Sequence, residues 1–123
     1  ILQKIDNIKK ESFDITADEK LYNIRPAFLP KEITSFHTLL TESSLLVTFT
    51  NDHEFLFAFN NRNRLVGGLY WKNIETNKIH LEWVAIRKKY QKISLSKHLM
   101  NDLFKRMKHK KIQIIKNYIT GRP

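Results

Sequence analysis

The sequence predicts one α/β (α+β) domain in which flanking helices cover a mixed, mostly antiparallel central sheet. Residues 55–86 form three apolar and aromatic runs separated by turn-forming segments, a pattern typical of an antiparallel meander. From Leu95 the apolar period becomes that of a helix, and the run KIQIIKNYIT then returns to strand spacing. A helix placed between two strands is typical of a crossover connection between parallel neighbours. The length of 123 residues suits a single core.

The first part of the chain adds further elements. Apolar residues at helical spacing in residues 1–13 predict an N-terminal helical extension over residues 1–20, which packs inside the domain or in a homodimer. The run LYNIRPAF predicts a strand, and Pro30 marks the start of a helix with apolar side chains on one face. The run SLLVTFT is ambiguous between strand and helix.

The second part begins with HEFLFAFNNRNRLVGGLYWK, which predicts a hairpin around the turn formers NNRN. The segment NIETNK then leads into a third strand, IHLEWVAI. Ser94 and Ser96 are candidate N-caps of the helix that follows. The apolar stripe of this helix comprises Leu95, Leu99, Met100, Leu103, Phe104 and Met107.

The charge is distributed unevenly along the chain. Residues 1–86 carry 10 Lys or Arg against 11 Asp or Glu, whereas residues 87–123 carry 12 against one, Asp102. A basic field of this kind attracts nucleic acid, a phosphorylated cofactor or an acidic surface, and it disfavours a polybasic substrate. The sequence shows neither a signal peptide nor a membrane span, so we expect no membrane partner and a cytoplasmic location.

Several kinds of chemistry are excluded by residue type and spacing. There is no cysteine, which removes disulfides, thiolate nucleophiles and Cys-ligated zinc. The five histidines form no pair at metal-ligand spacing with carboxylates on one helical face, so no metal site is expected. Neither a nucleophile elbow nor a phosphate loop is present, which disfavours hydrolases and nucleoside triphosphatases.

Three stretches resemble the GNAT superfamily of N-acyltransferases. YNIRPA is similar to the opening strand of that family, RLVGGLYW to its third strand, and HLEWVAIRKKYQKISLSKHLMNDLFKRM to its acyl-CoA motif. The resemblance runs from about Leu21 to Thr120 and implies a GNAT-like acyl-CoA-binding domain over residues 21–123. It also implies that the last helix and strands of the family, with the usual tyrosine general acid, are not included.

The resemblance implies a cofactor-binding turn after the fourth strand of the family. The family pattern is Gln/Arg-x-x-Gly-x-Gly/Ala, and this sequence has serine at both glycine positions. Backbone N–H groups and a helix N-terminus at such a turn bind the pyrophosphate of coenzyme A. An N-capped crossover helix without a ligand is the alternative. The candidate residues are Gln91, Lys92, Ile93, Ser94, Leu95, Ser96 and Lys97.

The same resemblance implies roles on the two neighbouring strands. Val84, Ala85 and Ile86 match the positions whose backbone pairs with the pantetheine arm, and Asn117 matches a cofactor contact on the fifth strand. Glu82 matches the glutamate that often serves as general base, and His80 is a second candidate two residues away. A paired or solvent-facing strand residue is the alternative for Glu82.

The leading functional hypothesis is an acyl-CoA-dependent N-acyltransferase that uses acetyl-CoA, or another acyl-CoA, to modify an unidentified amine. The alternative is a non-catalytic GNAT-like binding module whose basic C-terminal third holds nucleic acid or an acidic partner.

Overall fold

The computed structural model describes residues 12–17, 20–107 and 111–114. It contains a six-stranded sheet in the order β1-β2-β3-β4-β5-β6, antiparallel throughout except for the parallel pair β5 and β6. This arrangement confirms the predicted mixed, mostly antiparallel sheet with flanking helices. The strands are β1 (Phe13–Ala17), β2 (Lys20–Pro26), β3 (His53–Phe59), β4 (Leu65–Glu75), β5 (Lys78–Ile86) and β6 (Lys111–Ile114). The helices are α1 (Pro30–Glu42), α2 (Leu95–Arg106) and a 3-10 helix over Lys88–Ile93.

Strand β1 corrects the predicted helical extension over residues 1–20 at Phe13–Ala17, which form a strand. Phe13–Ala17 pairs antiparallel with β2, while residues 1–11 lie outside the described residues. Ala17 is buried and Ile15 packs against the core from the same strand face. The Phe13 ring lies 5.0 Å from the Arg106 guanidinium of α2. A strand of five residues shows only a short alternation of apolar and polar side chains. The helical spacing of the residues before it therefore determined the prediction.

Each face of the sheet is covered by one helix. On one face, α2 packs with Trp71, Ile79 and Leu81 of the sheet. On the other, α1 packs with the phenylalanines of β3 and with Tyr70 and Ala85. The predicted stripe of α2 is largely confirmed, although Phe104 is exposed. The buried residues of that stripe are Leu95, Leu99, Leu103 and Met107.

Gly68 allows α1 to approach the sheet closely. A β-carbon at this position would lie 2.7 Å from Phe57 Cδ1 and 3.1 Å from Phe36 Cε1. Contacts this short would force the two rings apart, because buried side chains are already close-packed. The Gly67-Gly68 pair therefore belongs to the packing of the predicted hairpin.

An ion pair fixes the start of α1. The Arg25 guanidinium donates to both Glu32 carboxylate oxygens, at 3.1 Å and 2.7 Å, and lies over the Phe28 and Phe59 rings. Glu32 Oε1 also accepts the backbone N–H groups of Phe28 and Leu29. Burial raises the pKa of Glu32, but the hydrogen bonds and charge of Arg25 and these backbone donors outweigh it and lower the pKa to about 2.

No helix in the part of the chain that the structure describes is both long and apolar enough to cross a membrane.

Candidate active site

A β-bulge in β5 places Glu82 outside the regular pairing of the sheet. Tyr70 pairs with Trp83 and the next residue of β4, Trp71, pairs with Leu81, so Glu82 is the extra residue on β5. Leu81 packs in the α2-side core, and Trp83 packs against the α1-side core. Without the bulge these two residues, two apart, would share one face. The bulge therefore reverses the alternation of β5.

Glu82 and His80 are brought together on β5, as the sequence predicted. His80 Nδ1 lies 3.9 Å from Glu82 Oε2, with the two side chains 34% and 22% exposed. This distance allows electrostatic contact but is too long for a direct hydrogen bond. The pair offers a partly buried carboxylate beside an imidazole, groups that can accept and relay a proton.

The negative charge of Glu82 affects the pKa values of Tyr70 on β4 and His53 on β3. Burial raises the pKa of Tyr70 far above its usual value, and the negative charge of Glu82 raises it further. Burial lowers the pKa of His53; Lys72 adds to this effect, whereas Glu82 and Asp52 oppose it. Tyr70 therefore stays protonated and His53 favours its neutral form at neutral pH.

The tautomer of His53 follows from its hydrogen bond. The Thr50 backbone N–H donates to His53 Nδ1 at 2.9 Å, so the neutral imidazole carries its proton on Nε2. Its ring centre lies 5.2 Å from that of Tyr70 and 6.0 Å from that of Phe49. An aromatic and histidine surface thus adjoins the bulged carboxylate.

His53 and Tyr70 were not among the site residues predicted from the sequence. Tyr70 is the residue opposite Trp83, one position from Glu82, and its role depends on the register of β4 and β5. Assigning cross-strand partners in the predicted meander would have placed Tyr70 close to Glu82. The bulge itself leaves no mark in the apolar pattern.

The outer edge of β5 has a strand partner over its first half in the part of the chain that the structure describes. The described residues of β6, Lys111–Ile114, pair with residues 78–81 of β5. Beyond it, no strand among the described residues pairs with the outer edge of Val84, Ala85 and Ile86. The inner edge of the same residues pairs with β4. One edge of this half-strand is thus available for strand-like pairing with an extended ligand.

The turn after β5 consists of the 3-10 helix and a single left-handed residue, Ser94, with φ 64° and ψ 26°. Left-handed backbone is the conformation that favours glycine, which the family pattern has at this position. Ser96, by contrast, lies inside the first turn of α2. The two serine substitutions are therefore not equivalent, because only Ser94 carries backbone strain.

Side chains of the turn divide into those that face solvent and those used for packing. Leu95 is fully buried, so only its backbone is available to a ligand, and Ile93 packs partly against the core. The Gln91 side chain donates to the Ile86 carbonyl at 3.0 Å and fastens the turn to the end of β5. Lys92 and Lys97 are exposed.

Asn117 lies outside the described residues. The structure shows no group of three or more His, Cys, Asp or Glu residues able to hold a metal ion in the described ranges.

A family model for the acetyltransferase (GNAT) domain matches residues 24–120. This match covers most of the chain and includes the bulged strand, the turn and α2. The chain belongs to the GNAT acetyltransferase family. No curated protein sequence gave a significant match.

Solved GNAT structures share the fold at low identity. An acetyltransferase of the GNAT family from Staphylococcus aureus Mu50 is 18% identical with a TM-score of 0.57, over 71% of this chain and 66% of that one. This chain thus spans slightly less than two thirds of that protein. A ribosomal-protein-alanine N-acetyltransferase from Brucella melitensis biovar Abortus 2308 is 14% identical with a TM-score of 0.62, over 83% of this chain and 82% of that one.

A Trypanosoma brucei acetyltransferase is 16% identical with a TM-score of 0.60, over 77% of this chain and 82% of that one. At these identities the structures support the fold alone. Acyl transfer is the general activity of the family to which the chain belongs.

Proposed function

We propose that this GNAT domain transfers an acetyl group from acetyl-CoA to an amine by direct attack, with Glu82 as the general base. The observation that carries the proposal is the bulge, which puts a partly buried carboxylate just before Val84–Ile86, whose outer edge has no strand partner among the described residues. β-Bulges are over-represented next to active sites because they re-aim a side chain.

The described residues fit acyl-CoA at two places. The outer edge of Val84–Ile86 has no described strand partner, so its backbone groups are available to the pantetheine arm. Ser94 holds the left-handed conformation that lets the turn approach a phosphate, and α2 begins at the next residue. Bound acetyl-CoA would supply the activated thioester carbonyl.

Exposed cations around the turn would assist by attracting the phosphates. Lys92 and Lys97 are both exposed, and neither is engaged by a carboxylate among the described residues. Charge-assisted contacts of this type add affinity, while the backbone donors of the turn set orientation.

The role of Glu82 in this proposal is to accept the amine proton, directly or through a water molecule. The carboxylate takes a proton from the protonated amine, or from the nitrogen as its bond to the acetyl carbon forms, and the thioester C–S bond breaks so that coenzyme A leaves as a thiolate that takes a proton from water. His80, 3.9 Å away, would relay that proton toward solvent. Tyr70 stays protonated, because its pKa is raised, and so remains an uncharged side chain beside the base.

The test measures release of the coenzyme A thiol from acetyl-CoA in the presence of a panel of primary amines. The chain has no cysteine, so a thiol reagent reports the product without a protein background. We expect turnover by the wild-type protein with at least one amine. Glu82→Gln should lower kcat/KM by about 10²- to 10⁴-fold, the usual contribution of a general base.

The matched control is Glu75→Gln, which makes the same carboxylate-to-amide change at an exposed position near the far end of β4. It should retain wild-type turnover. Equal activity of Glu82→Gln and the wild type would remove Glu82 from its role. Absence of acetyl-CoA binding by the wild type would contradict the proposed function as a whole.

A further inference from the structure

An open groove of about 600 Å³ lies between the start of α1, the β3–β4 turn and the segment that follows β5. We call it the arginine groove. Glu82 and His80 do not line it. Five cationic side chains and one carboxylate do: Lys31, Arg62, Arg64, Arg87 and Lys89, with Glu32.

The single carboxylate of the arginine groove does not neutralise these cations. Glu32 is engaged by Arg25 and by two backbone N–H groups, outside the set of groove cations. Among the described residues, no carboxylate lies within ion-pair distance of Arg62, Arg64 or Lys89. Lys31 is likewise without such a partner, and Arg87 has only the exposed Glu42, 3.9 Å away, so the groove presents a concentrated positive field.

The turn that carries Arg62 and Arg64 is closed by several hydrogen bonds. The Asn60 side-chain oxygen accepts the backbone N–H groups of Arg62 and Arg64, at 2.9 Å and 3.0 Å. The Asn60 N–H donates to the Arg64 carbonyl, and Asn63 takes the left-handed conformation that closes the turn. Because the backbone is already ordered, placing the two guanidinium groups costs less entropy on binding.

The same turn is fastened to the other wall of the groove. The Asn60 side-chain amide donates to the Tyr90 hydroxyl at 3.4 Å, and Arg87 Nε donates to the Leu65 carbonyl at 2.8 Å. These two hydrogen bonds connect the β3–β4 hairpin to the segment that follows β5. They therefore limit the distance between Arg62 and Arg64 on one wall of the groove and Arg87 and Lys89 on the other.

We propose that the arginine groove binds an acidic peptide segment, with Arg62 and Arg64 taking carboxylates in paired hydrogen bonds. Guanidinium groups match the planar carboxylate in this way. The volume is that of a site for an extended ligand rather than for one small ion. The cations come from three separate elements, which suits several carboxylates along a chain.

A nucleic acid fits these walls less well than a peptide. Single-stranded nucleic acids rely on exposed aromatic faces for base stacking. In the arginine groove the Phe59 ring is buried under Arg25, and the Tyr90 ring makes an edge contact with Tyr22. The proposal does not require acyl transfer, because neither Glu82 nor the outer edge of Val84–Ile86 lines the groove, although Lys89 and Tyr90 belong to the 3-10 helix of the proposed cofactor turn.

The test is fluorescence anisotropy of labelled hexaglutamate, with hexaserine and hexathymidylate as comparison probes. We expect saturable, salt-sensitive binding of hexaglutamate and none of hexaserine. The Arg62→Gln, Arg64→Gln double variant should bind hexaglutamate at least about tenfold more weakly, because two charge-assisted contacts are lost. Lys31→Gln with Lys89→Gln should weaken it in the same direction.

The matched control is Lys72→Gln with Lys105→Gln, which removes the same charge from two exposed positions outside the groove. This control should stay within about twofold of the wild type, the small effect expected of screened distant charges. Equal loss in the control and groove variants would overturn the proposal in favour of overall charge. Failure of hexaglutamate to bind, or tighter binding of hexathymidylate, would overturn it as well.

Discussion

The two halves of β5 differ in the strand partners that the described residues give them. Residues 78–81 pair with β4 on one side and β6 on the other, whereas Val84–Ile86 pair with β4 alone among the described strands. Glu82 lies between the halves as the bulged residue. One strand therefore serves as core structure before the bulge and, in the proposed function, as a ligand-binding edge after it.

Deletion of Glu82 should have the largest effect on turnover and little effect on the fold. Removing the extra residue makes Leu81 and Trp83 neighbours in the chain, so they keep the opposite faces they already occupy and pair regularly with Trp71 and Tyr70. We expect release of the coenzyme A thiol to fall by at least about 10²-fold, while urea unfolding, followed by near-ultraviolet circular dichroism, stays cooperative.

Glu82→Gln keeps the bulge and serves as the control for that deletion. Its free energy of unfolding should lie within about 1 kcal/mol of the wild type, because the change keeps the size of a side chain that is only partly buried. A deletion variant with wild-type turnover would show that neither the bulge nor its carboxylate is needed for the reaction, and one that no longer unfolds cooperatively would show that the fold depends on the bulge.

Substitutions in the two halves should differ in their cost. Leu81→Ala in the doubly paired half should lower the free energy of unfolding by about 3 kcal/mol, because it leaves a cavity in the α2-side core. Val84→Ala in the other half, where the side chain is only partly buried, should cost about 1 kcal/mol. Urea titration of both variants measures the difference, and equal costs would contradict the contrast between the halves.

The α1 helix supports the second half of β5, and its ion pair with β2 predicts a pH-dependent stability. The folded-state pKa of Glu32, about 2, lies below the ordinary value of 4.5. The ionised carboxylate thus stabilises the fold fully above about pH 5, and this contribution is lost as the pH falls toward 2.

Glu32→Gln should therefore cost about 2 kcal/mol at neutral pH, since it leaves Arg25 without its ion pair. The difference from the wild type should shrink as the solution is acidified, measured by thermal unfolding at several pH values. Glu42→Gln is the control, because its exposed carboxylate lies 3.9 Å from Arg87 and contributes little. A pH-independent difference would contradict the lowered pKa.

The smallest effects are expected at the two serines of the turn. Ser94→Gly relieves left-handed strain of roughly 1–2 kcal/mol but adds unfolded-state entropy, for a net gain of about 0.5 kcal/mol. Ser96→Gly lies in helical backbone and should cost about 0.5 kcal/mol. Opposite signs in chemical unfolding would support the distinction, and a loss of stability in both variants would contradict it.

The sequence predicted the elements that carry strong periodicity. The hairpin around NNRN, the third strand of the meander and the helix from Leu95 all appear, because each has a core face that repeats at the period of its structure. β1 was missed because its five residues follow a stretch with helical spacing. The interpretation of Phe13 as the end of a helix was therefore wrong.

The parts of the site that the sequence did not show depend on tertiary structure. A bulge adds one residue without changing the local composition, so the position of Glu82 relative to Tyr70 required the register of β4 and β5. The two serines look alike in the sequence, and only the backbone distinguishes Ser94 from Ser96. The arginine groove joins cations from the charge-balanced first part of the chain to the basic last third.

The most direct test of the proposed acyl-CoA site is calorimetric titration of acetyl-CoA into the wild-type chain, beside the Ser94→Gly, Ser96→Gly double variant. The account predicts saturable binding by both proteins, with free coenzyme A competing for the same site. It also predicts binding by the double variant at least as tight as that of the wild type, because glycine at residue 94 allows the turn to hold its left-handed backbone without strain. Failure of both proteins to bind would contradict the assignment of the turn and the open half of β5 as an acyl-CoA site.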